Sequence, residues 1–161
     1  MIQNIETIDE HDHGPRVHMA ISAYHDLLTS ITSRPPESGG ILLGPVQADN
    51  VVTGFHFDHG GTCSGTTYSP DHVTLGRMMK ETWLPQGLDM KGFCHSHGGG
   101  YDTLSPGDLT YIQRLLEANQ DMQLFLAPVV LPAAFRVHFL VVLRSDPFVP
   151  RTAALRLFSW L

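Results

Sequence analysis

Two histidines one residue apart, His95 and His97, stand in GFCHSHGGGYDTLSPGD, a stretch that runs on through three glycines to Ser105 and Asp108. In an extended strand alternate side chains share a face, so both imidazoles point one way while Cys94 and Ser96 point the other. Two imidazoles aimed at one place suit a metal ion, and the third ligand is expected to be a carboxylate arriving from elsewhere. Asp108 lies in the first turn of the following helix, and the glycine-rich connection has the backbone freedom to carry it back. Three protein ligands leave a position open. That is the pattern of a catalytic zinc, where bound water loses its proton near neutral pH and becomes a nucleophile. Two histidines and a carboxylate also form the facial triad of non-haem iron enzymes, so the residue types leave the metal open.

Each of these residues has a plainer explanation. Ser105-Pro106-Gly107-Asp108 is a good helix start with Ser105 as N-cap, and a cap alone accounts for the serine and the aspartate. His-x-His is a weak signal in a chain with ten histidines. His56, Asp58 and His59 in FHFDHGG resemble a second cluster, but surface or loop-packing roles are the expectation there. His11, Asp12 and His13 fall in a polar N-terminal segment and are expected to be solvated. Cys94, turned away from the histidines, reads as a small buried hydrophobe, so sulfur ligation of zinc is not indicated.

The elements that must hold such a site alternate along the chain. Ile21, Tyr24, Leu28 and Ile31 recur at helical spacing, and Pro35-Pro36 stop that helix, with extended chain from Glu37. GGILLG (residues 39–44) and VVTGFHF (residues 51–57) read as neighbouring strands, followed by a loop rich in glycine, serine and threonine. A second helix opens at Ser69-Pro70, with Leu75, Met78, Met79 and Thr82 on its core face and Trp83 beside them. MKGFCHSH is a strand, and SPGDLTYIQRLLEAN is a third helix with Leu109, Ile112 and Leu116 inward. The apolar run from Leu124 to Leu143 has the length of a membrane span. Pro128, Pro132, Arg136 and His138 interrupt it, so it reads as two buried strands that close the chain. The class is α/β, a mixed sheet flanked by helices, and 161 residues are enough for one domain with its own core.

Composition narrows the partners. A net charge of −6 without any cluster of lysine and arginine speaks against nucleic acid. Two cysteines make neither a Cys-x-x-Cys pair nor a disulfide framework, and the N-terminal stretch lacks the apolar core of a signal peptide, so the expected setting is cytoplasmic and reducing. No membrane partner is expected.

The spacing His95-Ser96-His97, seven residues, Ser105, two residues, Asp108 resembles H-[S/T]-H-x7-S-x2-D, the motif of the JAMM (MPN, or JAB) zinc metalloproteases. The upstream ESGGILLG, Glu37 to Gly44, is similar to that family's E-x-G-G-x-L-x-G. The order of elements matches the family core over most of the chain, which implies one JAMM/MPN domain across residues 1–161. The resemblance implies that His95, His97 and Asp108 hold one catalytic zinc, that Glu37 accepts the proton of the attacking water, and that Ser105 supports the oxyanion. It also implies hydrolysis of an amide or isopeptide bond. The preferred substrate is the C-terminal Gly-Gly tail of a ubiquitin-like or sulfur-carrier protein, held by addition to a sheet edge near the metal, with an E1-like activating enzyme as a companion. One departure is visible. Gly98 stands where the family usually has proline, which predicts a looser loop after the second histidine. The rival readings are an MPN scaffold without catalysis, a general zinc peptidase acting on small peptides, an enzyme that removes a small amino acid from a carrier tail, and a metallo-β-lactamase type. That last type needs aspartate where HSHGGG has glycine.

Overall fold

The computed structural model describes residues 2–7, 13–34, 37–64 and 67–160, with the backbone alone at 2–7, 63–64 and 67. Pro35, Pro36, His11 and Asp12 lie outside the described residues. In chain order the elements are β1 (Ile2–Thr7), β2 (Arg16–Ala20), α1 (Ile21–Thr32), β3 (Gly39–Pro45), β4 (Val51–Val52), β5 (Gly54–Phe57), β6 (Thr62–Ser64), β7 (Thr67–Ser69), α2 (His72–Met78), β8 (Leu88–Ser96), α3 (Pro106–Ala118), β9 (Leu124–Leu126), β10 (Val129–Leu131), β11 (Arg136–His138), β12 (Leu140–Leu143), β13 (Asp146–Thr152) and β14 (Ala154–Trp160). The class is mixed α/β.

The larger sheet is built around β8. On one side β3 pairs with it antiparallel, Gly39 opposite His95. On the other, β9 and β10 follow one another in parallel, Gly92 opposite Leu126 and Val129 opposite His95. Beyond them lie β12 and β13, β11 beside β10, and β5 beside β3. A smaller sheet runs β1-β14-β2-β4.

Strand alternation divides the core into two layers. Leu42, Cys94, Leu126 and Val141 face α1, while Ile41, Phe93, Phe125 and Val142 face the layer of α2 and α3. His95 and His97 therefore point towards α3, and Cys94 is buried on the far side with its thiol pKa pushed up by burial. α3 is fixed at both ends, by a capping box at Ser105 and Asp108 and by the Arg144 guanidinium, which donates to the carbonyls of Leu116 in the last turn and of Asn119 just past it.

Several sequence expectations are corrected. The buried stripe of α1 is Ala23, Leu27 and Ile31, and Ile21 is exposed, because the helix packs its 23-27-31 row on the sheet. α2 begins at His72, capped by Asp71, and widens into a π-helical turn at Met79–Trp83. That wider turn buries Trp83 and leaves Thr82 exposed, breaking the expected stripe. The third helix buries Ile112 and Leu116 as expected, with Leu109 only half-buried. Glu37 is not extended: its φ is 68°, and strand geometry starts at Gly39. The apolar run folds as strands, broken more finely than expected into β9 to β12, and it does not close the chain. β13 and β14 follow it. Among the described residues no helix is long and apolar enough to cross a membrane.

Candidate metal centre

The His-x-His pair sits where β8 ends, between two other strand ends. The Ser96 N–H donates to the Ser38 carbonyl (2.9 Å) and the His97 N–H to that of Val130 (3.0 Å), so β8 is held on both edges. Strand addition to β8 itself is closed; β5 and β11 are the edge strands nearest to it in the sheet order.

Across the layer, the Asp108 carboxylate points back at the two rings. His95 Nε2 and His97 Nε2 are 2.7 Å apart, and Asp108 Oδ2 lies 3.3 Å and 3.7 Å from them. Two ligands of a tetrahedral zinc at ordinary bond lengths stand roughly 3.3 Å apart, so these separations straddle what one zinc needs. Among the described residues this is the one group of three or more His, Cys, Asp or Glu side chains close enough to hold an ion. The donor set, two nitrogens and an oxygen, fits zinc and fits iron equally.

The tautomer of His97 follows from its surroundings. Its Nδ1 lies 3.0 Å from the Tyr101 carbonyl, which can only accept. The proton therefore sits on Nδ1, and the Nε2 lone pair of neutral His97 faces the cluster, as a ligand requires. Two glycines make that bond: Gly99 and Gly100 have φ of 67° and 75°, in the left-handed region. A Cβ at either would meet nothing within 4 Å, so glycine is needed there for its conformation and not for space. The glycine loop closes back on His97 with the Tyr101 ring tilted beside the imidazole.

His95 is held differently. Its Nδ1 is buried and has no hydrogen-bond partner among the described residues, while its ring packs on Tyr68, stacked at 6.5 Å, and on Phe93. Packing orients this imidazole and hydrogen bonding orients the other. The Tyr68 ring can lie there because residue 39 is glycine; a Cβ on Gly39 would meet Tyr68 Cε1 at 2.5 Å.

Electrostatics shape the cluster for positive charge. Burial alone would lower the pKa of His97, but the Asp108 carboxylate, the Tyr101 carbonyl and the charge of Glu37 outweigh it and raise it. Burial would likewise raise the pKa of Asp108; the facing histidines and the Ser105 N–H hold it well below the usual carboxylate range instead. Asp108 Oδ2 accepts that N–H at 2.7 Å, the same oxygen that faces both rings.

Glu37 is buried, 7% exposed, and acts electrostatically on His97, yet it stands outside the trio of His95, His97 and Asp108. Its left-handed backbone, unusual for a residue with a Cβ, is braced by its N–H donating to the Ser96 carbonyl (3.3 Å). Ser105 Oγ accepts the Asp108 N–H at 3.1 Å, which occupies a lone pair and leaves the hydroxyl proton free to donate. All five residues singled out in the sequence thus gather at the β8–α3 junction. Sequence reasoning missed the Tyr101 carbonyl, whose one signal was the run of glycines after His97.

The second histidine group does not assemble. His56 packs edge-on against Trp83, His59 against Phe57, and His13 is exposed. Asp58 is a buried hub: its Oδ2 accepts the Tyr68 hydroxyl at 2.6 Å and the Asp71 N–H at 3.0 Å.

No family model matches this chain, and no curated protein does. Solved structures do match. A Desulfitobacterium hafniense protein determined in solution superposes with a TM-score of 0.67 at 17% identity, over 90% of this chain and 94% of its own. A Salinibacter ruber protein gives 0.55 at 20% identity, over 84% of this chain and 88% of its own. A JAB1/MPN domain protein from Archaeoglobus fulgidus gives 0.47 at 13% identity, over 88% and 97%. The first two likenesses establish a shared fold; the third superposes too loosely to extend that.

Proposed function

We propose that this chain is a zinc-dependent metallopeptidase of the JAMM (MPN, JAB) type, one domain over residues 1–161, that hydrolyses an amide or isopeptide bond. The observation that supports it is convergence: two ring nitrogens from the C-terminal end of β8 and the residue after it, and one carboxylate oxygen from α3, meet within 4.8 Å, and their residues have the sequence spacing of the family motif. His95, His97 and Asp108 would hold the metal. When bound, zinc would polarise the scissile carbonyl and acidify a water at its open position. Glu37 accepts the proton of the attacking water and returns it to the leaving nitrogen as the C–N bond breaks. Ser105 donates its free hydroxyl proton to the oxygen on which charge develops.

The deciding measurement is elemental analysis of protein purified without added metal. About one zinc per chain is expected, and iron in its place would overturn the reading.

For substrate we propose the C-terminal Gly-Gly tail of a ubiquitin-like or sulfur-carrier protein, with an E1-like activating enzyme as companion. Orientation of the scissile bond draws on binding energy remote from the metal, and a folded partner supplies more of that than a short tail. A folded β-grasp fusion should therefore show a higher kcat/KM than its isolated tail peptide. Equal values would point to a general peptidase.

A further inference from the structure

The loop that carries the Tyr101 carbonyl to His97 contains three consecutive glycines, two with positive φ, and chain of that kind does not hold one conformation unaided. What fixes it comes from another strand. His138, at the end of β11, stands opposite Val129, which stands opposite His95, so the residue lies in the same row across the sheet as the first metal ligand. His138 Nδ1 lies 2.5 Å from the carbonyl of Asp102, the residue next to Tyr101. A carbonyl only accepts, so Nδ1 carries the proton, and Nε2 then takes the Thr152 hydroxyl at 3.0 Å. The ring is held at both nitrogens. Arg136 also reaches the Asp102 carboxylate, at 3.4 Å, but both groups are exposed and such a pair contributes little.

We infer that His138 is a positioning residue of the metal centre: it anchors the Asp102 carbonyl, which fixes the adjacent Tyr101 carbonyl, which holds His97 in the tautomer and orientation of a ligand. The inference rests on His97 being a ligand. His138 contacts neither metal nor substrate, and it acts through the loop backbone alone. The clamp has a handedness that a general packing role lacks. Asparagine at 138 places its amide N–H near the position of Nδ1 and can still donate to Asp102, whereas glutamine places it near Nε2 and cannot.

The test is zinc affinity, by chelator competition on the full chain, for the parent, His138→Ala, His138→Asn and His138→Gln, with thermal midpoints recorded for each. Outer-sphere partners of metal ligands typically contribute about 10- to 100-fold in affinity. His138→Ala and His138→Gln should lose about that much, and His138→Asn should recover most of it at a midpoint similar to that of His138→Gln. Parent-like affinity in His138→Ala, or equal losses in the Asn and Gln variants, overturns the inference. If His138→Ala does not fold, the comparison of Asn with Gln decides. A second reading separates this failure from that of the metal assignment: in metal-free protein, the imidazole N–H of His97 should be visible by nitrogen-15 NMR in the parent and in His138→Asn, and lost in His138→Gln. Should the parent and His97→Ala bind zinc equally, the ligand assignment falls, and the NMR comparison still decides the clamp. An N–H signal that persists unchanged in His138→Gln overturns it.

Discussion

His95-Ser96-His97 and His56-Phe57-Asp58 have the same spacing: in each, two residues able to ligate a metal stand two apart along a strand, on one face. The first becomes a cluster and the second does not. β8 is paired on both edges through Ser96, so its end is rigid and α3 brings a carboxylate over the histidine face. β5 ends at Phe57, and Asp58 turns inward to satisfy a tyrosine hydroxyl and a backbone N–H while the flanking histidines pack on aromatic rings. With Asp58 turned to Tyr68 and Asp71 and each histidine on its own ring partner, no three donors converge there. The comparison also joins the two regions, since Asp58 holds Tyr68 and Tyr68 covers His95. One cluster brings three donors close enough to hold an ion, and the other supports the wall beside it.

The sharpest way to break this contrast is to remove histidines from each region. His95→Ala with His97→Ala should take zinc from about one per chain to none, while His56→Ala with His59→Ala should leave it unchanged. Zinc kept by the first pair, read by elemental analysis, would dissolve the distinction. The fold should survive either change, because a domain of this length keeps two apolar layers even where His95 packs on Phe93 and His56 on Trp83.

Glu37→Gln should keep the metal and lower turnover by about 10² to 10⁴, since the amide preserves shape without accepting a proton. Undiminished hydrolysis at matched zinc content would remove Glu37 from the mechanism.

The smallest effect is assigned to Asp58. Asp58→Ala leaves the Tyr68 hydroxyl and the Asp71 N–H without their acceptor, at a cost of roughly 1–3 kcal/mol of stability in urea unfolding. Stoichiometric zinc should remain. Loss of metal with stability intact would instead place Asp58 in the site.

Much of the site was legible because its rules are local. Alternation along a strand puts His95 and His97 on one face whatever the rest of the fold does, and the spacing of Ser105 and Asp108 makes a capping box from four residues alone. The same alternation sent Cys94 to the other layer. Helices and the central strands were legible from periodicity, with errors where a neighbour overrode the pattern: the π-helical turn that exposes Thr82, the rotated face of α1, and the left-handed Glu37 braced by Ser96. No local rule foretold that β2 would pair in parallel with β14, or that the apolar run would break into four short strands. Those depend on which faces are left to cover once the chain has closed on itself.

What the sequence by itself determined is the chemistry on offer: the donor types, their common face on β8, and the helix start that carries Asp108. What only the tertiary structure decided is which groups hold those donors in place, the Tyr101 carbonyl on His97, the Tyr68 ring over His95, and His138 reaching across from another strand to the loop between them. The physical reason is sequence distance. A strand period or a helix cap is settled within a few residues by backbone geometry, whereas a hydrogen bond spanning 36 residues forms only after sheet register has set β11 beside β10 and β10 beside β8.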